Sequence, residues 1–346
     1  MPRARRAAEA PEPRATRRRS PHTAVVPKVR IPRERNDATV EIDDRAVNLT
    51  NLAKPFWPEL GITKGDLLQY YADVAAAVLP HVHDRAMVMK RYPNGAAGDF
   101  FFMKRAPTPR PAWIETCSIE HASGNVIDFP MVQDLASLLW VVNLGCIDLN
   151  EWYARCDDVD RPDYLHFDLD PTPGATFEQI RDAALIVREA LDALAMPSHA
   201  KTTGSRGLHV YVPSVRGPTQ KDVWELSKRL SGEIARKHPR LLTAVYAKAR
   251  RPERRVLVDY NQNAWGRTLA SVYSVRPKPQ APVSTPVTWK EIERGLAIED
   301  FRIDNVPARL RKLGDLWAPI LPGSKPRVDL RPFLAAPTRP VASRRS

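Results

Sequence analysis

Three stretches of the chain carry residue types that could work on phosphate esters. "YLHFDLDPTPG" (Tyr164 to Gly174) ends an apolar run on Asp168 and Asp170, one residue apart. "RRVLVDY" ends a second, β-branched run on Asp259, and "KTTGSRGLHVYVPS" sets Ser205 and Arg206 in a glycine-flanked turn before His209. In a strand, side chains alternate between faces, so Leu165, Phe167 and Leu169 share the face expected to be buried, with His166, Asp168 and Asp170 on the other. Carboxylates at i and i+2 sit about 7 Å apart and repel unless a cation lies between them. The alternative is a charged strand end running into the turn residues "PTPG". Three strand-borne carboxylates can hold two divalent ions through hard oxygen ligands, an arrangement suited to phosphoryl or nucleotidyl transfer. In the turn Gly204–Gly207, exposed amides would form an anion nest and Arg206 a fork for phosphate oxygens. The plain reading there is an ordinary hairpin turn. His209 alternates with Leu208 and Val210 and so faces away from the core, as the aspartates do.

These residues need a scaffold, and the hydrophobic periodicity supplies one. "TKGDLLQYYADVAAAVLPHV" reads as a helix capped by Thr63, with Leu67, Leu68, Tyr71, Val74, Ala75 and Val78 along one face. "RAMVMKRYP" reads as a strand and "MVQDLASLLWVVNLG" as an apolar helix ending near Gly145. "TFEQIRDAALIVREALDALA" is an amphipathic helix capped by Thr176; "LHVYVPS" is a strand followed by the helix "TQKDVWELSKRLSGEIARKH". Strands mixed with long helices give an α/β or α+β class. No internal repeat is present.

The 346 residues suffice for one large or two modest domains, and 43% are hydrophobic. The net charge of +13 is concentrated at the start, where residues 1–35 hold eleven Lys and Arg against three Glu. That excess points to an acidic partner such as nucleic acid. No apolar run approaches the ~20 residues that span a bilayer, which sets aside a membrane role. Residues 1–38 and 326–346 lack a periodic apolar face and are expected to be a disordered basic arm and a basic tail. Cys117, Cys146 and Cys156 form no CxxC pair, and their odd count argues against a disulfide framework. With no secretory signal, a reduced, cytoplasmic, nucleoid-associated protein is expected.

Taken together and in order, "LTNLAKPFWPELGITKGDLLQYY", "HFDLDP", "KTTGSRGLHVYVP" and "VDYNQNAWGRTLASVYSVR" resemble the polymerase domain of bacterial ligase D. That domain is the archaeo-eukaryotic primase-like module of prokaryotic non-homologous end joining. The resemblance runs from about Val40 to Pro322. It implies a primase-polymerase fold spanning 39–325: an RRM-like catalytic sheet at about 151–325 and a smaller N-terminal α/β unit at about 39–150. Such proteins add nucleotides at DNA ends and short gaps, favour ribonucleotides and work best with manganese, magnesium being the alternative, as a pair of ions.

By that resemblance Asp168, Asp170 and Asp259 are the metal-binding carboxylates. Thr203, Ser205, Arg206 and His209 fall on the turn that holds the NTP or dNTP triphosphate, with Arg276, Lys90 and Gln262 beside it. Phe100 and Phe101 match aromatics that stack on a base or sugar. Asn51, Lys54 and Lys64 match the pocket that grips the 5′-phosphate of gapped or broken DNA, where a helix start near Thr63 adds its dipole. Two positions depart from the family: Arg206 stands where Lys is usual, and Asn150 where His often touches the nucleotide. The chain lacks the ligase motif KxDG, so the resemblance implies a stand-alone polymerase working with a separate ATP-dependent DNA ligase and Ku. Other readings remain open at this level: a primase acting on unprimed template, a haloacid-dehalogenase-like phosphatase suggested by "DLDPT", and a non-catalytic nucleic-acid binder.

Overall fold

The computed structural model describes residues 26–334. The chain opens with an antiparallel hairpin, β1 (Ala38–Ile42) and β2 (Arg45–Leu49). The short pair β3 (Pro55–Trp57) and β4 (Ile62–Thr63) leads into α1 (Lys64–Val82). All six apolar positions read on the α1 stripe are buried, and Thr63 with Asp66 forms a capping box at its start. β5 (Met87–Arg91), β6 (Phe101–Met103) and β9 (Cys146–Glu151) make a three-stranded sheet in the order β6-β5-β9. Between β6 and β9 lie the hairpin β7 (Thr116–Glu120) and β8 (Val126–Pro130), then α2 (Leu135–Asn143), capped by Asp134.

The second half builds the larger sheet. β10 (Tyr164–Pro171), α3 (Phe177–Asp192), β11 (His199–Thr202), β12 (Leu208–Pro213), α4 (Gln220–Lys237), β13 (Leu242–Thr243) and β14 (Val256–Asp259) follow in turn. After β15 (Pro286–Val287) come α5 (Trp289–Arg294), α6 (Val306–Leu313) and α7 (Arg331–Leu334). The six strands lie in the order β13-β14-β10-β12-β11-β15. Counting β10, β11, β12 and β14 as strands one to four, their spatial order is 4-1-3-2, with α3 and α4 as the helices of a β-α-β-β-α-β unit. The expected RRM-like sheet is therefore present. Every pairing in it is antiparallel except the short parallel one of β13 with β14. This is not the parallel sheet that the dehalogenase-like phosphatase reading requires.

The two sheets share one core. Leu165, Phe167 and Leu169 of β10, Ile180 and Val187 of α3, and Leu226 and Leu230 of α4 belong to the same buried cluster as Leu67, Tyr71 and Leu139 of α1 and α2. Buried hydroxyls satisfy the backbone where the halves meet: Tyr70 donates to Tyr273 O at 2.8 Å and Tyr71 to Ile147 O at 2.7 Å. Arg85 and Asp163, both buried, pair at 2.7 Å across the same junction.

Three expectations need correction. Residues 1–25 of the basic arm lie outside the described residues, but the arm does not extend to 38. Ile31 is in the core, its N–H donating to Gln69 Oε1, while Gln69 Nε2 donates to Val29 O. An isolated Ile among Arg and Pro has no periodicity to announce this docking. At the other end, Val328 and Leu330 are buried and Ser214 bridges to Val328, so the chain from 326 packs onto the domain rather than forming a tail. Residues 335–346 of the basic tail lie outside the described residues. Lastly, Cys117 and Cys156 are joined by a disulfide, leaving Cys146 free and buried. The hairpin β7–β8 and the segment after β9 share a small core with Ile119, Phe129 and Trp152. That long-range contact brings the two sulfurs together, and sequence spacing does not reveal it.

Candidate active site

Strand register assembles the centre. Asp168 on β10 faces Asp259 on β14 and His209 on β12, and His209 faces Lys201 on β11. Asp259, Asp168, His209 and Lys201 thus form one cross-strand row, in which neighbouring Cβ atoms lie about 5 Å apart. All four side chains are buried. Asp170 follows two residues beyond Asp168 on the same face. The row borders a cleft of about 500 Å³ lined also by Lys90, Asn150, Thr203, Ser205, Arg206, Gln262 and Arg276. Every nucleotide-site residue expected from the sequence, apart from Phe100 and Phe101, therefore lines a single cleft with Asp168 and Asp170.

The acids are held under electrostatic stress. Burial, followed by the charge of Asp259, pushes the Asp168 carboxyl up to about 7. For Asp170 the Asp168 charge is the main cause and burial the second; Arg206 opposes them, and the result is again about 7. Asp168 Oδ1 is buried without an aligned hydrogen bond, although His209 Nε2 lies 3.2 Å away. A buried, unsatisfied carboxylate oxygen between two further carboxylates suits a hard divalent cation. Asp259 is not yet part of such a cluster. Its Oδ1 accepts from Asn261 N at 2.8 Å and its Oδ2 from Gln262 Nε2 at 3.3 Å. Among the described residues no three acid, His or Cys side chains converge on one point. Donor type and charge fit an ion held by Asp168 and Asp170, and Asp259 would have to turn from Gln262 to join them.

Lys201, absent from the sequence reading, completes the row. Its Nζ meets His209 Nδ1 at 2.8 Å, Ala270 O at 2.9 Å and Ser284 Oγ at 2.7 Å, three partners for three N–H bonds. Burial and the nearby Lys201 charge hold His209 well below the usual histidine range, so its ring is neutral. With Nδ1 accepting from Lys201, the proton sits on Nε2, the edge turned toward Asp168. His166, two residues before Asp168, is fully buried and stacks on Tyr211, with ring centroids 5.1 Å apart. It is a core residue.

The Gly204–Gly207 turn differs from the expected open nest. The amides of Ser205, Arg206 and Gly207 all donate to Thr203 Oγ1, at 3.1, 3.2 and 3.0 Å. A threonine hydroxyl thus already occupies the concavity, which leaves Ser205 and Arg206 to present side chains. Two glycines make the turn possible. Gly204 has φ +62°, and a Cβ there would lie 2.6 Å from Arg276 Cγ; at Gly207 a Cβ would lie 2.1 Å from Leu169 O. Gly207→Ala should therefore force β12 away from β10 beside Asp170, at a cost of at least about 3 kcal/mol. Urea denaturation checks this, and wild-type stability in that variant would refute the packing account.

The hairpin β5–β6 works on both faces. Lys90 pairs in register with Phe102, and Arg91 with Phe101. Lys90 and Phe102 line the cleft, where Lys90 Nζ lies 4.1 Å from the centroid of the half-exposed Phe100 ring. Phe101 turns the other way, under Arg91. Of the three consecutive phenylalanines, Phe102 is thus the one that lines the cleft, a detail the run "DFFFMK" could not settle without the register. Asn150 lines the cleft while its Nδ2 donates to Asp148 O at 3.0 Å.

Asn51, Lys54 and Lys64 form a separate basic site on the far side of that hairpin. Burial, then the neighbouring charges of Lys54 and Arg91, lower Lys64 to about 8, with Asp37 opposing. Lys64 Nζ donates to Thr50 O at 2.6 Å and Lys54 Nζ to Asn94 Oδ1 at 3.2 Å. The helix start contributes less than expected. Lys64 N donates to Lys54 O, Gly65 N to Leu52 O and Asp66 N to Thr63 Oγ1, so the first-turn amides are taken. The charge nearest this helix start is thus that of the two ammonium groups, and the Arg91 charge also reaches Lys64.

The chain is similar to known proteins in both sequence and fold. The family described as the LigD primase-polymerase domain matches residues 63–317. The multifunctional non-homologous end joining protein LigD of Mycolicibacterium smegmatis is 33% identical over 276 residues, 79% of this chain and 36% of that protein. The bifunctional LigD of Bacillus subtilis is 27% identical over 272 residues, covering 78% of this chain and 43% of its own. The chain thus spans less than half the length of these relatives. Among solved structures, the polymerase domain from Mycobacterium tuberculosis ligase D in complex with DNA matches with a TM-score of 0.75 at 28% identity. That match covers 81% of this chain and 99% of the other.

Proposed function

The chain belongs to the LigD primase-polymerase domain family, a nucleotidyltransferase family, and from that premise we propose that it extends DNA primers at gaps and breaks during non-homologous end joining. The observation that carries this reading is the row Asp259–Asp168–His209, with Asp170, bordering a cleft lined by Lys90, Arg206 and Arg276. A non-catalytic nucleic-acid binder has no use for buried carboxylates that would repel a phosphate backbone. Asp168, Asp170 and Asp259 are the residues that would hold two divalent ions, Mn²⁺ or Mg²⁺. The chemistry such ions supply is acidification of a primer 3′-hydroxyl and neutralisation of charge on leaving pyrophosphate.

The chain's own residues do the rest. Arg206, Arg276 and Lys90 bind phosphate oxygens of the incoming nucleotide, and Ser205 donates to one of them. Phe102 supplies a face for the base. Neutral His209 keeps an N–H 3.2 Å from Asp168 without adding a charge to the site. The N-terminal unit, about 39–150, brings Asn51, Lys54 and Lys64 to a 5′-phosphate on the downstream strand. The unit at about 151–325 brings the carboxylates. Ribonucleotide preference and partnership with Ku and an ATP-dependent ligase complete the proposal.

Primer extension on gapped DNA tests it, with a 5′-phosphate or 5′-hydroxyl downstream, NTPs or dNTPs, and Mn²⁺ or Mg²⁺. No extension under any combination would refute the function. Lys64→Ala and Lys54→Ala should each remove at least about tenfold of the preference for a 5′-phosphate, the worth of one charge-assisted hydrogen bond. Extension beside a 5′-hydroxyl should change little. Because Lys64 titrates near 8, it loses charge as pH rises through that value. The 5′-phosphate preference should therefore decline between pH 7 and 9, and a flat profile would argue against Lys64 as the contact.

A further inference from the structure

Asp148 is buried on β9, 1% exposed, and belongs to none of the motifs read in the sequence. Two cleft-lining cations from distant parts of the chain converge on it. Arg276 Nε lies 2.7 Å from its Oδ1 and Lys90 Nζ 3.3 Å from its Oδ2. Arg276 Nη1 donates to Thr203 O at 2.6 Å, while its Nε faces Asp148 as an ion pair without an aligned hydrogen bond. Among the described residues no partner is recorded for Nη2. Lys90 and Arg276 are each about one-fifth exposed, at the cleft side.

We propose that Asp148 is a positioning residue of the nucleotide site, the buried carboxylate that holds Lys90 and Arg276 together as one preformed clamp for a nucleoside triphosphate. Resting on the polymerase reading above, the inference follows from charge and geometry. Two cations crowded at one wall of a cleft repel each other and would otherwise point into solvent. A carboxylate behind them removes that repulsion, fixes both rotamers and leaves a net single positive charge facing the cleft. Holding the donors in place before the ligand arrives reduces the ordering cost of binding. A buried carboxylate needs such partners, so each group stabilises the placement of the others.

The test measures binding of NTP with Mn²⁺ by calorimetry, affinity for gapped DNA, and extension kinetics. Asp148→Asn should weaken NTP binding and raise the nucleotide KM at least tenfold, with a smaller change in kcat and unchanged affinity for gapped DNA. Asp148→Glu should recover part of the loss. Where Asp148→Asn does not fold, Lys90→Met and Arg276→Met replace it: a shared anchor requires the double variant to lose less than the two single losses combined. Strictly additive losses, wild-type NTP binding in Asp148→Asn, or parallel loss of NTP and DNA affinity would each overturn the inference. A wild-type protein that binds NTP but extends no primer would refute the polymerase reading and leave the clamp standing. Failure of the folded wild type to bind NTP would overturn both.

Discussion

Asp168→Asn should abolish primer extension, by at least about a thousandfold, and yet make the metal-free protein more stable. The substitution keeps shape and removes the charge that Asp259 and Asp170 oppose. The sign of the pH dependence follows from the raised carboxyl. In the folded protein Asp168 holds its proton up to about 7, whereas an unfolded aspartate releases it near pH 4. Between these values the folded state binds the extra proton, so stability falls as pH rises from about 4 to about 7 and then levels off. At pH 8 Asp168→Asn should exceed wild type by about 2 kcal/mol, and at pH 4 the two should coincide. Mn²⁺ should raise the wild-type melting temperature at pH 8 far more than at pH 5, by mass action on the ionised cluster. It should do little for the variant. Thermal melts across this pH range, with and without Mn²⁺, check the whole set. Equal melting of the two proteins at pH 8, or extension surviving in Asp168→Asn, would remove the carboxylate cluster from the mechanism.

The second large effect is expected at Lys201, which is buried and does not line the cleft. Lys201→Met fills a similar volume but strands Ala270 O and His209 Nδ1 inside the protein, while Ser284 Oγ loses one partner and keeps its bond to Thr202 O. Unsatisfied buried groups of this kind should cost about 3 kcal/mol in total. His209 then loses the partner that fixes its tautomer and ring plane, and extension should slow by about ten- to a hundredfold. Lys201→Arg should not restore it, because a planar fork cannot meet three acceptors placed around a tetrahedral ammonium. Denaturation and single-turnover extension report the two effects separately. A Lys201→Met protein with wild-type stability and rate would show the network to be inert.

Both predictions depend on a row of residues that the sequence determined only in part. Alternation along "YLHFDLD" placed Asp168 and Asp170 on one face, and "RRVLVDY" ended correctly on Asp259. Cap residues such as Thr63 and Thr176 marked the helix starts that the structure has. These are local properties, set by side-chain period and backbone hydrogen bonding within a few residues. Resemblance of the motifs added further residues expected around a nucleotide, and all of them but Phe100 and Phe101 line one cleft.

Cross-strand register is not local. Whether Asp259 and His209 stand opposite Asp168 is decided by pairings between strands far apart in sequence, and a slip of one residue would turn each to the other face. For that reason Lys201 and Asp148 went unread: a lysine in a strand and an aspartate after "GCI" look like ordinary surface residues until both are found buried. The same holds for Thr203, whose hydroxyl fills the turn expected to stand open, and for Phe102, which lines the cleft that Phe101 faces away from. The residue types and their alternation along each strand are fixed by the sequence itself. Which of them meet, and which buried charge holds them there, was decided by the tertiary structure, because burial and register depend on what the rest of the chain brings alongside.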